Sequence, residues 1–251
     1  LRGIVLSVIN YVTLRGDARH VISDLDLALV MLDHKADHPN HILLDWAAWD
    51  DMYAYAREPY PVFIGTNITA PVLANMGINS QIILDASGNL IFQKNIDLIT
   101  GKDSPLPFKV TELLEKYPLL LDPPSPNSSH VGLVVMADQV ILAASRPITT
   151  SQVEGPVQGT LIFLIFLNQD QMDQLSTLAQ REIHLQAISR EAWMELANDA
   201  AFTSTELRDD PLLAISGQEL FDLPQFAQNT VLDDEYITYV TPLDTKTVYG
   251  F

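Results

Sequence analysis

Gln81-Ile82-Ile83-Leu84-Asp85-Ala86-Ser87-Gly88-Asn89-Leu90-Ile91-Phe92-Gln93-Lys94-Asn95 is the stretch whose reading decides the fold. Two apolar runs, Gln81–Leu84 and Leu90–Asn95, flank a tract whose Asp, Ser, Gly and Asn bond their own backbone or accept positive φ, so the segment predicts a β-hairpin. Val131–Met136 and Val140–Ser145 flank Ala137-Asp138-Gln139 in the same way. Gly159–Leu167 is nearly all apolar, with β-branched and aromatic residues, as suits a central strand buried on both faces. Together these predict a five-stranded antiparallel sheet.

Outward from the sheet, Ile4 to Asp37 places Val5, Val8, Val12, Ile22, Leu25, Leu29 and Leu32 near a three-four spacing, which predicts one long N-terminal stalk helix ended by Pro39. At 1.5 Å per residue it would span roughly 50 Å. Arg15, Gly16 and Arg19 interrupt the seam, so the pattern fits either a homodimer through this helix or packing along its own domain. A second helix is expected from Leu43 to about Arg57, before Pro59 and Pro61. Between the hairpins, Leu106–Ser129 is rich in proline and reads as a surface excursion after a short helix near Val110–Lys116.

The last third reads as helix Asp170–Gln180, strand Glu182–Ala187, helix Arg190–Ala200, a polar loop, and strands near Tyr236–Thr241 and Thr247–Phe251. The fold class is therefore α+β. Its expected parts are a stalk over residues 1–40, a sheet domain with flanking helices over 41–168, and a smaller C-terminal α/β lobe or extension over 169–251. The chain starts at Leu1 and stops within a strand-like run, so it reads as a piece of something larger.

Composition narrows the function. Lys and Arg total 14 against 32 Asp and Glu, and a formal charge of −18 repels phosphate backbones and anionic headgroups, so no nucleic-acid partner is expected. With no cysteine, thiolate metal sites, disulfides and cysteine nucleophiles are excluded. No stretch reaches the roughly 18 apolar residues of a spanning helix.

Chemistry concentrates in Asp45-Trp46-Ala47-Ala48-Trp49-Asp50-Asp51-Met52-Tyr53-Ala54-Tyr55. On a continuous helix, Trp46, Trp49, Asp50 and Tyr53 share about a third of the circumference, while Asp51 and Tyr55 point elsewhere. A carboxylate among indoles must be paired or hydrogen-bonded. Two readings stay open: a structural latch in which Asp50 takes backbone N–H bonds or an arginine, and a ligand pocket with aromatic walls. Arg146, at the end of a predicted strand, is the candidate partner for Asp50. Asn67 is a candidate amide anchor or a turn residue.

The same segment, followed by Asn67, Asn75-Met76-Gly77-Ile78, Ile82-Ile83-Leu84-Asp85 with Gly88, Ala144-Ser145-Arg146-Pro147-Ile148-Thr149 and Gly155-Pro156-Val157-Gln158-Gly159-Thr160-Leu161, resembles the fourth type of CHASE sensory domain over residues 40–170. The resemblance implies a PAS- or Cache-like sheet in the extracytoplasmic input module of a membrane-anchored receptor. Its output would be a histidine kinase or a cyclic-dinucleotide synthase or phosphodiesterase, and its partner an unnamed small-molecule ligand. Where the family usually ends its last strand with a Gly-Arg-Tyr pattern, this chain reads Leu164-Ile165-Phe166-Leu167.

Rival chemistries are thinner. His34 and His38 stand one helical turn apart, a spacing at which two imidazoles share a metal, but Pro39 follows before His41. Asp50 and Asp51 point about 100° apart and cannot flank one bond. The sequence carries no nucleophile elbow, phosphate-binding Gly loop or His-Glu-x-x-His pair, so neither a cofactor nor an enzyme activity is expected of this chain.

Overall fold

The hairpin forms where its turn chemistry puts it. In the computed structural model, which describes residues 2–10, 18–121, 125–180, 182–189, 229–232 and 237–243, β2 (Ser80–Asp85) pairs antiparallel with β3 (Leu90–Asp97). The Asp85 carboxylate accepts from the backbone N–H groups of Ser87 and Asn89, each at 2.8 Å, and from Asn89 Nδ2 at 3.0 Å. Gly88 supplies the positive φ of 80° that this turn needs. The second expected hairpin joins β5 (His130–Met136) to β6 (Gln139–Pro147) through Ala137 and Asp138, both at positive φ as a two-residue hairpin link requires. With β4 (Lys102–Asp103) and β7 (Gly159–Phe166), the sheet has six strands in the order β4-β3-β2-β7-β6-β5. The five expected strands are all present, and the added β4 is a two-residue edge.

Strand alternation divides the sheet into two faces. Ile82 and Leu84 of β2, Ile141 and Ala143 of β6, and Ile162 and Leu164 of β7 form one cluster with Leu113 and Leu120, each at most 1% exposed. Leu113 lies on α5 (Val110–Lys116), the short helix expected there, and Leu120 on a single 3-10 turn, Pro118–Leu121. The proline-rich tract is thus a cover on the sheet over at least these residues, not a surface excursion. The reason is apolar burial, about 1.5–3 kcal/mol for each leucine. This cover also closes the edge at β5: Tyr117 Oη accepts from Val135 N–H at 2.8 Å, and Lys116 Nζ donates to Val135 O at 2.7 Å.

The other face carries Gln81, Ile83, Leu161, Phe163, Ala144 and Arg146, none more than 5% exposed. Above the strands in the chain come α1 (Ala18–Ala47), α2 (Asp50–Arg57), α3 (Pro61–Asn67) and α4 (Ala70–Met76), with α2 packed against β2. Buried Leu43, Ala47, Met52, Tyr55 and Phe63 come from these helices.

The N-terminal expectations need three corrections. Residues Arg2–Asn10 are a strand, β1, not the start of a helix; β8 (Glu182–Ser189) pairs on one side and β10 (Ile237–Leu243) on the other. The run Ile4-Val5-Leu6-Ser7-Val8-Ile9 is rich in β-branched residues, and two pairing partners override its weak helical period. The long helix instead runs from Ala18 through Pro39 to Ala47. Pro39 is buried, and His41 Nδ1 donates to the Asp37 carbonyl at 2.8 Å, so packing and a side-chain bond support the turn that proline weakens. Finally, Leu43–Arg57 is not one helix: it breaks at Ala48 and Trp49, the latter extended at φ −121° and ψ 127°.

Among the described residues the chain divides into two compact units, one holding β2 to β7 apart from Asp138–Val140, with α1 from Lys35 and α2 to α5, the other holding β1, α1 up to His34, and the elements from Leu167 onward. In the second unit a four-stranded sheet runs β8-β1-β10-β9, where β9 is Asn229–Leu232, a strand placed within the expected polar loop. There α6 (Gln169–Ala179) packs on β8 and is capped by Asn168, whose side chain accepts from Gln171 N–H at 3.1 Å. The expected helix Arg190–Ala200 and strand Thr247–Phe251 lie outside the described residues.

Candidate functional site

The break between α1 and α2 is made by tertiary hydrogen bonds from the loop that joins β6 to β7. The Ala47 carbonyl, at the last turn of α1, accepts from Thr149 N–H at 2.9 Å. Both oxygens of Asp50, the first residue of α2, are engaged: Oδ1 accepts from Ser151 N–H and Oδ2 from Ser151 Oγ, each at 2.9 Å. Those bonds, the backbone one foremost, hold the exposed Asp50 carboxyl below its ordinary range against a small opposing desolvation. One turn on, Tyr53 Oη accepts from Gln158 Nε2 at 3.3 Å. Gly155, at φ 85°, passes so close that a Cβ there would lie 3.4 Å from Tyr53 Oη. Two residues of the predicted helix face, Asp50 and Tyr53, are therefore clamped by one loop, together with the Ala47 carbonyl.

Trp46 lies in the last turn of α1 and Trp49 in the break itself, and their rings meet edge to face at 5.8 Å. The contact continues from Trp49 to Phe63 on α3 at 5.3 Å, and Phe63 stacks on Tyr55 at 4.9 Å. Tyr60 closes on both Tyr55 and Phe63 at 5.9 Å. Both tryptophans and Tyr53 are half-buried. Sequence reasoning missed Tyr55, Tyr60, Phe63 and Ser151. Tyr55 lies off the face of Asp50 and Tyr53 on α2 and joins the row through Phe63 and Tyr60, and Pro61, at the first turn of α3, is the signal for that helix.

Asn67 is the last residue of α3, and its Nδ2 donates to the Phe63 carbonyl of the same helix at 3.0 Å. Arg146 does not pair with Asp50, whose oxygens belong to Ser151. It lies on the inner row of β6 opposite Leu161, 5% exposed, and its Nε has no hydrogen-bond partner among the described residues. Burial pulls its guanidinium below the ordinary value. Gln81 is fully buried, with both amide atoms likewise unpartnered.

Of the histidine pair, His38 Nε2 donates to the Met76 carbonyl at 2.8 Å, and among the described residues no group of three or more His, Cys, Asp or Glu suited to a metal occurs. His38 thereby serves the C-terminus of α4, where Gly77 in the left-handed region takes the remaining carbonyls through a Schellman pair, Gly77 N–H to Ala74 O and Ile78 N–H to Leu73 O.

Residues 31–186, which hold this clamp, the aromatic row and the six-stranded sheet, match the family model described as the CHASE4 domain. The chain belongs to the CHASE4 family. A curated relative of this CHASE4 domain, the methanogenesis regulatory histidine kinase FilI of Methanothrix harundinacea strain 6Ac, is 26% identical over 143 residues, 57% of this chain and 16% of that kinase. The chain thus spans about a sixth of the length of that relative. Two solved structures share the fold. A domain of a sensory box/GGDEF family protein from Vibrio parahaemolyticus gives a TM-score of 0.53 at 15% identity, covering 92% of this chain and 97% of that one. The extracellular domain of a protein described as a histidine kinase, vpHK1S-Z8, gives 0.51 at 14% identity over 92% of each chain.

Proposed function

We propose that this CHASE4 domain is the extracytoplasmic sensing module of a membrane-anchored receptor and that any catalytic output lies elsewhere in the parent protein, as a histidine kinase or a cyclic-dinucleotide enzyme. The CHASE4 match and the histidine-kinase relative support the class, and a domain of a sensory box/GGDEF protein shares the fold. Among the described residues no helix is long and apolar enough to cross a membrane.

One observation carries the mechanism: a two-residue break joins the end of α1 to α2, and the β6–β7 loop clamps both sides of it at Ala47, Asp50 and Tyr53. A small molecule that binds the clamped and unclamped arrangements unequally would shift α1 along its axis, a helix displacement of the kind receptors transmit. A ligand without that difference would signal nothing.

Thermal-shift screening of the chain beside Trp49→Ala tests this. Compounds that raise the Tm of the wild type but not the variant are expected. If no compound stabilises either protein, or hits ignore the substitution, the sensing reading fails. The buried, stacked Tyr55–Phe63 pair favours a second reading, a ligand-free homodimerisation module whose aromatics are only core. That reading predicts a dimer that dissociates on dilution and no ligand response.

A further inference from the structure

The sheet face opposite the α5 cluster buries two polar side chains that the described protein leaves unsatisfied. Gln81 is 0% exposed with neither Nε2 nor Oε1 partnered, and Arg146 is 5% exposed with Nε unpartnered and no carboxylate paired to it among the described residues. The register brings them together. Gln81 pairs with Phe163 and Phe163 with Ala144; in the next row of the same face, Ile83 pairs with Leu161 and Leu161 with Arg146. They stand on the two strands flanking β7, one row apart. With strands about 4.8 Å apart and a rise of about 3.4 Å per residue, their Cα atoms are roughly 12 Å apart, within the combined reach of the two side chains.

A buried guanidinium without a counter-charge is strongly disfavoured, and one kept for structure is expected to hold a carboxylate. The chain has 32 acidic residues to choose from, yet the one nearest in the functional logic, Asp50, is spent on Ser151. A planar oxyanion from outside matches the guanidinium fork, and the Gln81 amide, donor and acceptor together, reads a hydrogen-bonding group beside it.

We propose that Arg146 and Gln81 anchor the carboxylate end of a small organic acid bearing a neighbouring hydroxyl or amide, on the inner face of the six-stranded sheet. This rests on the sensing reading and adds the ligand class. The test uses the full chain with acetate, lactate, hexanoate and benzoate, their neutral amides, and inorganic phosphate, read by thermal shift and titration calorimetry.

At least one carboxylate should bind saturably while its amide does not. Arg146→Met should abolish that binding and Gln81→Leu should weaken it by about tenfold, consistent with loss of charge-assisted contacts. Free of ligand, Arg146→Met should melt at or above the wild type, because it removes an unpaired buried charge. Arg146→Lys, which keeps the charge without the fork, is expected to fold and to bind more weakly. Wild-type binding by Arg146→Lys, phosphate binding as well as every carboxylate, or a ligand-free Arg146→Met that melts several degrees lower would each overturn the proposal. Neutral compounds that stabilise through Trp49 while no carboxylate binds would overturn it and leave the sensing reading standing.

Discussion

Asp50 shows how a residue acquires its role from a partner far along the chain. Its carboxylate is exposed, but two bonds from Ser151 stabilise the charged form. A carboxyl with a depressed folded pKa contributes stability that is present above its unfolded value, about 4, and is lost as pH falls through the lower folded value. The clamp should therefore persist at neutral pH and loosen only below about pH 4. Hydrogen exchange at the Ser151 amide should accelerate across that acidic window in the wild type. In Asp50→Asn it should already be fast at pH 7 and show no such transition. Equal protection in the two proteins at pH 7 would mean that the carboxylate does not hold the loop.

At the scale of elements, the α5 tract and the strand spacing make two sharper expectations. Tyr117→Phe removes the hydroxyl that serves Val135 and leaves a buried edge N–H unpaired, which should cost about 1–3 kcal/mol in urea unfolding. The exposed edge should also raise the tendency to aggregate. Gly159 is more severe, because a Cβ there would lie 1.9 Å from the Leu84 carbonyl oxygen, a backbone atom that cannot rotate away. Gly159→Ala must push β2 and β7 apart, and a loss of more than about 4 kcal/mol is expected from such a named backbone conflict. A variant that unfolds at the wild-type midpoint would refute the close approach. The β-rich elements were legible because their turns carry local signals: Asp85, Gly88 and Asn89 in one, Ala137 and Asp138 in the other. The helix boundaries were not, since the break at Trp49 is made by Thr149 and Ser151, roughly a hundred residues away.

For the molecule as a whole, the net charge of −18 sets a background repulsion that favours the expanded chain. Raising sodium chloride from about 0.02 M to about 0.5 M shortens the screening length well below 10 Å, so Tm should rise by several degrees. A Tm that falls over that range would show that specific ion pairs outweigh the net repulsion. Lys94–Asp103, at 2.7 Å, is an ion pair on the edge of the sheet and is expected to matter little against it.

The sequence by itself determined the antiparallel sheet, its buried central strand, the short helix at Val110–Lys116 and the family, because apolar alternation, turn residues and motif order are local properties of the chain. Tertiary structure alone decided that β1 is a strand, that α1 runs through Pro39, and that Asp50 belongs to Ser151 rather than Arg146. Those outcomes depend on which partner reaches a backbone or side-chain group first in space. A hydrogen bond across a hundred residues, or two strands closing on either side of a third, leaves no periodic trace in the segment that it reshapes.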